Sequence, residues 1–292
     1  MSATQRGIPG TTETQGDEAC GGLVVRNLVK HFGGVKAVSG VSFVVPPGNC
    51  VALIGPNGAG KSTSFACIAG QHALTDGEIW WNGSRIDRLR PEQRLRRGVA
   101  RTFQVAQTFE ALTVLQNVQL LLQYPCGLSA YNVLDNEAVE ESMELLRQVG
   151  LESLAQAPAK SLPYGAKKRL ELAMALAGLH RAPRGAPSLR PTDARLLLLD
   201  EPAAGLAASE RAALMALVKS LTQEQGGRAS LSVLYTEHNM DAVFGVADRV
   251  LVLIDGEIAA QGDPQAIARN PLVRQRYLGH GWEPSRRGDA HA

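Results

Sequence analysis

The segment GPNGAGKS at residues 55–62 constrains this chain more than any other. It matches the pattern G-x-x-x-x-G-K-[ST], whose backbone N–H groups surround the phosphates of a nucleoside triphosphate. In that pattern Lys61 reaches the outer phosphates and the Ser62 hydroxyl binds Mg²⁺. The apolar residues 51–54 predict a buried strand before the segment, and residues 62–69 predict a helix whose positive N-terminus points at the phosphates. The segment therefore predicts an α/β protein that binds a nucleotide.

The composition argues against several other classes of protein. The 292 residues carry a formal net charge of +2, with acidic and basic residues scattered, so no basic surface favours a nucleic acid. The four cysteines lack C-x-x-C spacing, which indicates reduced thiols rather than disulfides or metal ligands. No apolar run approaches the roughly 18 residues of a membrane helix, and residues 1–20 lack the apolar core of a signal peptide. We expect a soluble intracellular protein that reaches a membrane only through a partner.

Segments typical of strands and of helices alternate along the chain. Residues 195–200, RLLLLD, are its most apolar strand-like run and predict a central parallel strand. Residues 91–97 predict a short basic helix with a solvated face, and apolar spacing from about residue 113 to 150 predicts a helical insert. The Pro- and Arg-rich residues 180–195 predict an exposed loop, and Asp255-Gly256 predicts a tight hairpin. The alternation indicates a doubly wound α/β core.

Two adjacent acids, Asp200 and Glu201, stand where the apolar run at residues 195–200 ends. Open α/β sheets bind ligands at this carboxyl edge of their strands. Asp200 would hold the Mg²⁺ shell, and Glu201 would orient and deprotonate the attacking water. An acidic helix start is the simpler interpretation, but the phosphate-binding segment in the same chain favours catalysis.

Two further polar residues have weaker signals. His238 follows Glu237 after a predicted strand at residues 231–236, where it would reach the γ-phosphate, although a lone histidine is more often structural. Gln104, in the segment GVARTFQ, would span from metal to water if its strand is adjacent, although most glutamines lie on surfaces. Both roles depend on the order of the strands.

Taken together, these motifs resemble an ABC-type ATP-binding cassette in their order along residues 23–279. The matching motifs are the phosphate-binding segment, Gln104, LPYGAKKRLELAMAL at residues 162–176, LLLLDEPAAG at residues 196–205 and the Glu237-His238 pair. The tyrosine in LPYG and the closing RQRYLG are similar to the ATP-binding subunits of branched-chain amino acid importers. The broader relatives of those importers transport urea and short amides.

This resemblance implies a fold and a domain organisation. The fold would be α/β: a P-loop NTPase cassette with a RecA-like core, an antiparallel β subdomain and a helical signature subdomain at about residues 105–180. The ATP-binding domain would span residues 22–281, between a disordered tail at residues 1–21 and a C-terminal tail at residues 282–292. Its cofactors would be ATP and Mg²⁺.

The resemblance also implies site residues, because two such subunits enclose two ATP molecules between one subunit's phosphate loop and the other's signature segment. Phe32 would stack on adenine. The residues around the phosphates and the metal would be Gly55, Pro56, Asn57, Gly58, Ala59, Gly60, Lys61, Ser62 and Thr63. The metal set would be Ser62, Gln104 and Asp200, and the catalytic set would be Glu201, His238, Gln104 and Lys61, with His238 as the switch histidine. The partner's ATP would be capped by Leu162, Pro163, Tyr164 and Gly165.

Four features depart from the family pattern. Pro163 replaces the usual signature serine, and Ala166 replaces the usual glutamine. Residues 206–208, Leu-Ala-Ala, lack a polar residue that would cross the dimer interface, and the loop at residues 180–195 is longer than expected. None of them removes a residue that would bind phosphate, metal or water within this chain. We therefore expect that only the contacts this chain makes to the ATP of the partner subunit are weakened.

The resemblance implies the ATP-hydrolysing subunit of an importer, peripheral at the cytoplasmic face of the inner membrane. Its partners would be an identical or related ATP-binding subunit, permease subunits that contact residues 105–113 and, indirectly, an extracytoplasmic solute-binding protein. Nucleic acid is not an expected partner. The alternatives are a lipid exporter subunit, a cytosolic ABC ATPase of DNA repair or translation, and a catalytically silent regulatory module.

Overall fold

The computed structural model describes residues 21–102, 107–123, 136–180, 194–223 and 231–279. The strands in these ranges are β1 (Leu23–Phe32), β2 (Val35–Val45), β3 (Cys50–Ile54), β4 (Asp76–Trp81), β5 (Ser84–Arg85), β6 (Val99–Arg101), β7 (Arg195–Asp200), β8 (Leu231–Thr236), β9 (Arg249–Ile254) and β10 (Glu257–Gly262). The helices are α1 (Lys61–Ile68), α2 (Pro91–Leu95), α3 (Val114–Gln123), α4 (Asn136–Gln148), α5 (Tyr164–His180), α6 (Ala208–Leu221), α7 (Met240–Val246), α8 (Pro264–Arg269) and α9 (Pro271–Val273). The predictions for Gln104, for both tails and for most of the loop at residues 180–195 lie outside the described residues.

The larger sheet has six strands in the order β10-β9-β3-β8-β7-β6. Its strands run parallel except β10, which forms the antiparallel hairpin with β9. β3, the strand before the phosphate-binding segment, is central and fully buried. The sheet confirms the predicted doubly wound α/β core and fixes which strands are neighbours.

Successive side chains of the central strands enter two separate apolar layers. Leu197 and Leu199 pack into the layer that contains α3, α5 and α6, whereas Leu196 and Leu198 pack into the layer that contains α1 and the smaller sheet. The period of two in a strand explains this division, because neighbouring residues point to opposite faces. A strand buried on both faces must be apolar at every position, as residues 195–200 nearly are.

The smaller sheet is antiparallel, in the order β2-β1-β4-β5, and covers the α1 side of the larger sheet. The β9–β10 hairpin connects the two sheets near the phosphate-binding segment. Its turn has positive φ angles of 51° at Asp255 and 80° at Gly256, as the sequence predicts for a tight hairpin. Gly256 N–H donates to Ala59 O at 3.2 Å, and Gly256 O accepts from Ser39 N–H at 2.8 Å. The hairpin turn therefore contacts the phosphate-binding segment through the backbone of Ala59.

Helices α3, α4 and α5 pack together between β6 and β7 in the sequence, where the helical insert is predicted. The prediction that the helix at residues 91–97 is simply a solvated face is wrong for Arg94, which is 1% exposed. Its guanidinium donates to Cys67 O and Ile68 O, both at 2.6 Å, and so caps the C-terminal end of α1. Burial lowers the pKa of Arg94 to about 10. None of the helices within the described ranges is both long and apolar enough to cross a bilayer.

Candidate active site

The phosphate-binding segment forms a loop between β3 and the N-terminus of α1. Three of its glycines have positive φ: 151° at Gly55, 81° at Gly58 and 101° at Gly60. A Cβ at Gly55 would lie 2.0 Å from Leu253 O, and one at Gly60 would lie 2.4 Å from Ala37 O. The close approach of neighbouring backbone therefore requires glycine at both positions, independently of any anion that the loop binds. A Cβ at Gly58 would meet nothing within 4 Å, so its backbone borders open space.

Lys61 is held inside this loop. Its ammonium donates to Gly55 O at 2.7 Å and to Pro56 O at 3.0 Å, and the residue is 7% exposed. Burial lowers the pKa of Lys61, while the carboxylates of Glu201 and Asp200 act in the opposite direction. The loop thus holds one cation within the electrostatic influence of the two acids.

Asp200 ends β7 and is 5% exposed. Its Oδ1 accepts from the Thr236 hydroxyl at 2.9 Å, and its Oδ2 accepts from the Arg101 guanidinium at 2.7 Å. Thr236 ends β8, and the β7–β8 register places it directly opposite Asp200. The order of strands β6, β7 and β8 therefore brings both hydrogen-bond donors, Arg101 and Thr236, to the Asp200 carboxylate.

Glu201 has a positive φ of 50°, which is uncommon for any residue other than glycine. Its backbone N–H donates to the Thr236 hydroxyl at 3.0 Å, so the same threonine holds both acids. The Oε1 of Glu201 lies 2.7 Å from Nε2 of His238, which is more exposed than the glutamate, 44% against 16%. The structure therefore brings Glu201 and His238 into direct contact, as adjacent strands β7 and β8 allow.

Glu237, between Thr236 and His238, is buried with 4% exposure. Its carboxylate accepts from Ala203 N–H at 2.8 Å and from its neighbour His238 N–H at 3.3 Å. Burial raises the pKa of Glu237, and these two N–H groups lower it in part. Glu237 thereby ties the end of β8 to the chain that follows Glu201.

The remaining predicted site residues lie on other elements. Phe32, at the end of β1, is 44% exposed and meets the edge of His72, with ring centroids 5.3 Å apart. Leu162 and Pro163 precede α5, whose first residue, Tyr164, is 43% exposed and packs against Gly205. The position of Gln104 is not described, although β6, which ends at Arg101, does pair with β7.

The donor set fits a triphosphate with Mg²⁺. The loop supplies backbone N–H groups with open space at Gly58, an ammonium at Lys61 and an exposed hydroxyl at Ser62. Mg²⁺ is usually held by one or two protein oxygens together with phosphate oxygens, which suits Ser62 and Asp200. Two contributors were missed at the level of sequence: Arg101 and Thr236. Only the strand register could have found them, since both end strands beside β7.

Comparison with known proteins covers most of the chain. The profile of the ABC transporter family matches residues 38–182. The high-affinity branched-chain amino acid transport ATP-binding protein BraF of Pseudomonas aeruginosa is 36% identical over 266 residues, which are 88% of this chain and 97% of that protein. The corresponding protein LivG of Escherichia coli K12 is 35% identical with the same coverage. A probable LivG of Archaeoglobus fulgidus is 30% identical and covers 88% of this chain and 95% of its own length.

Solved structures agree with these relatives. A nucleotide-free ATP-binding cassette from an ABC transporter is 29% identical, with a TM-score of 0.72 over 88% of this chain and 99% of its own. The ADP conformation of an ATP-binding cassette of an ABC transporter is also 29% identical, with a TM-score of 0.73 over 88% and 98%. The predicted cassette fold is confirmed.

Proposed function

Since this chain belongs to the ABC transporter family of ATP-binding cassettes, we propose that it is the ATP-hydrolysing subunit of an importer. Its named relatives transport branched-chain amino acids, which makes these or related small polar solutes, such as urea and short amides, the expected cargo. The observation that carries the proposal is the position of Glu201, with its partner His238, beside Asp200 and the Lys61 loop at one edge of the sheet. A lipid exporter or a non-transport ATPase has less support, because BraF and the two LivG proteins are ATP-binding proteins of branched-chain amino acid transport.

Each side chain then has a defined task. Lys61 and the N–H groups of the loop neutralise the β- and γ-phosphates of ATP. Phosphoryl transfer depends mainly on such charge neutralisation and on positioning, and little on covalent catalysis. Ser62 and Asp200, together with Gln104, would hold Mg²⁺, which would supply positive charge against the negative charge of the phosphate oxygens. Glu201 accepts the proton of the attacking water, and His238 holds the Glu201 carboxylate in position. Phe32 offers its exposed ring to the adenine.

The second half of the nucleotide site comes from a second subunit. Tyr164 is exposed at the N-terminus of α5, the positive end of a helix of 17 residues. Such a helix terminus attracts the phosphates of a nucleotide bound to the other subunit. Pro163 offers no hydroxyl there, so a related subunit with a hydroxyl at this position is the stronger partner, and an identical subunit is the other option.

A groove on the same molecule supports a membrane partner. Its volume is about 590 Å³, and it opens between α2, β6, residues 107–109 and α5. Apolar side chains such as Leu95, Phe109 and Met174 share its lining with the acids Glu92 and Glu171. An amphipathic helix of a permease fits a lining of this kind. Docking there places the protein at the cytoplasmic face of the inner membrane, with a solute-binding protein acting from the other side.

The proposal is tested by reconstituting the chain with its permeases, a second ATP-binding subunit and a binding protein in vesicles. We expect ATP hydrolysis that rises when the binding protein carries a branched-chain amino acid, together with uptake of that amino acid. The Glu201→Gln variant is the matched control, because it should bind ATP without turnover. Hydrolysis that is indifferent to permease and cargo would remove the transport function but leave the ATPase.

A further inference from the structure

Arg101 has a place in the site that neither the phosphate-binding segment nor the acids predict. It ends β6, opposite Leu198 in the parallel register with β7. Residues two apart in a strand share a face, so Arg101 lies on the same face as Asp200. Its side chain is 12% exposed and passes the ring of Phe65, with Cζ 6.0 Å from the ring centroid. The arginine therefore reaches Asp200 across the α1 face of the sheet.

The Arg101–Asp200 pair neutralises a carboxylate that would otherwise be a buried charge beside the phosphate loop. One nitrogen of the guanidinium lies 2.7 Å from Oδ2 of Asp200, and another donates to Oε1 of Gln71. Burying an isolated carboxylate is costly, so a cation must stand near Asp200 when no metal is bound. The positive charge of Lys61 also interacts with Asp200, but the hydrogen bonds of its ammonium go to carbonyls of the loop. Arg101 is the cation in direct contact within the described residues.

We propose that Arg101 is a positioning residue that competes with the divalent cation for Asp200, and so links the metal site to the groove. This inference rests on the proposed function, since it takes Asp200 as a ligand of the metal shell. A metal at Asp200 would bring two positive charges next to a guanidinium that pairs with the same carboxylate. The repulsion between the two cations opposes simultaneous binding, so Arg101 must weaken or leave its contact when the metal binds.

The groove described above provides space and polar groups that the Arg101 side chain can contact when it leaves Asp200. Arg101 and Gln71 line it, together with Gln107 and the acids Glu92 and Glu171. The guanidinium thus stands between the Asp200 carboxylate and a groove whose mostly apolar lining includes two acids, of which Glu171 pairs with the Lys168 ammonium at 3.6 Å. Any occupant of the groove that draws Arg101 toward itself raises the affinity for the metal, and by reciprocity the bound metal favours that occupant. Arg101 would in this way report occupancy of the metal site to the surface proposed for the permease.

The test measures how the binding of fluorescent mant-ADP depends on Mg²⁺, using the isolated full chain, because ADP avoids turnover. Arg101→Gln removes the competing charge, and we expect the Mg²⁺ concentration for half-maximal binding to fall by about three- to tenfold. Affinity for mant-ADP in EDTA should stay the same or fall. Merely structural damage would weaken both measurements, so a gain confined to the Mg²⁺ dependence identifies the competition.

Two more variants complete the design. Arg101→Met keeps an apolar stem against Phe65 and should lower the Mg²⁺ requirement in the same direction, which covers a failure of Arg101→Gln to fold. Arg96→Gln, an equal change of charge at an exposed residue, should match the wild type. An unchanged or higher Mg²⁺ requirement in folded Arg101 variants overturns the inference alone. A wild-type chain that binds no mant-ADP at any Mg²⁺ concentration overturns the proposed function instead.

Discussion

The two nucleotide-facing regions of this chain differ in how completely the structure prepares them. Around the phosphate loop, Lys61, Asp200 and Glu237 are each at least 93% buried and each has hydrogen-bonded partners. At residues 162–165, Tyr164 is 43% exposed, and the Pro163 carbonyl accepts from Lys167 N–H at 3.0 Å. The first region is positioned by its own sheet, whereas the second presents a surface whose ligand we expect on another subunit.

The difference shows which parts of the fold can position site side chains precisely. Side chains at the ends of parallel strands are located by backbone hydrogen bonds along the whole sheet, as the opposition of Asp200 and Thr236 illustrates. A segment at the start of a helix has only its own helix and its nearest neighbours for support. Substitutions of the groups that contact the nucleotide or the attacking water in the first region should therefore have large effects, and substitutions in the second should have smaller ones.

The largest effect is expected from Glu201→Gln. The amide cannot accept the proton of the attacking water, and a general base contributes about 10²–10⁴-fold to a rate. ATP turnover should fall by about that factor, measured as phosphate release, while ATP still binds in equilibrium dialysis. Glu257→Gln, at an exposed position, is the control. Turnover close to that of the wild type would remove Glu201 from the proposed role.

The next effect is expected from Lys61→Ala, which deletes the buried ammonium of the loop. Hydrogen bonds to charged groups contribute about 1.5–3 kcal/mol, so affinity for ATP should fall roughly ten- to hundredfold. Fluorescence titration with mant-ATP measures the change. Lys160→Ala removes an exposed lysine and should leave the affinity unchanged. Undiminished binding in Lys61→Ala would mean that this loop is not the nucleotide site.

Pro163→Ser sharpens the comparison from the other region. The new hydroxyl can donate to the phosphates of the nucleotide on the facing subunit, and ATP turnover of the assembled transporter should rise by about tenfold or less. Pro163→Ala restores the backbone N–H without the hydroxyl and separates the two contributions. The signature segment would lose its role as a cap if both variants turned over at the wild-type rate in an assembly confirmed by gel filtration.

The smallest effect is expected in the pH dependence of Glu237. Because burial raises its pKa above the ordinary value of 4.5, the folded chain binds this proton more tightly than the unfolded chain. Its contribution to stability is fully present below pH 4.5 and is lost as pH rises through the raised pKa.

Glu237→Gln should remove this slope and change the free energy of unfolding at pH 7 by about 1 kcal/mol or less, since the amide oxygen still accepts from Ala203 N–H. Urea unfolding at a series of pH values measures both quantities, with Glu257→Gln as the exposed control. A variant that retains the wild-type slope would show that Glu237 is not its source.

Much of the fold followed from local patterns. The strand before the loop, the apolar β7 and the turn at Asp255-Gly256 all lie where the sequence predicts them. Their signals are local: an unbroken apolar run, a glycine-rich loop and a turn dipeptide. Arg94 was misread because a basic residue on a short helix usually faces water, and only the neighbouring end of α1 gives its guanidinium an inward set of acceptors.

The sequence by itself determined the phosphate loop and the identity of the two acids at the end of β7, because each depends on residues adjacent in the chain. The cassette fold followed from the resemblance that the order of the motifs carries. Only the tertiary structure decided which distant residues meet those acids. Arg101 lies 99 residues from Asp200, and His238 lies 37 residues from Glu201. The order and register of β6, β7 and β8 bring these side chains together. That register is set by packing on both faces of the sheet, which no single segment encodes.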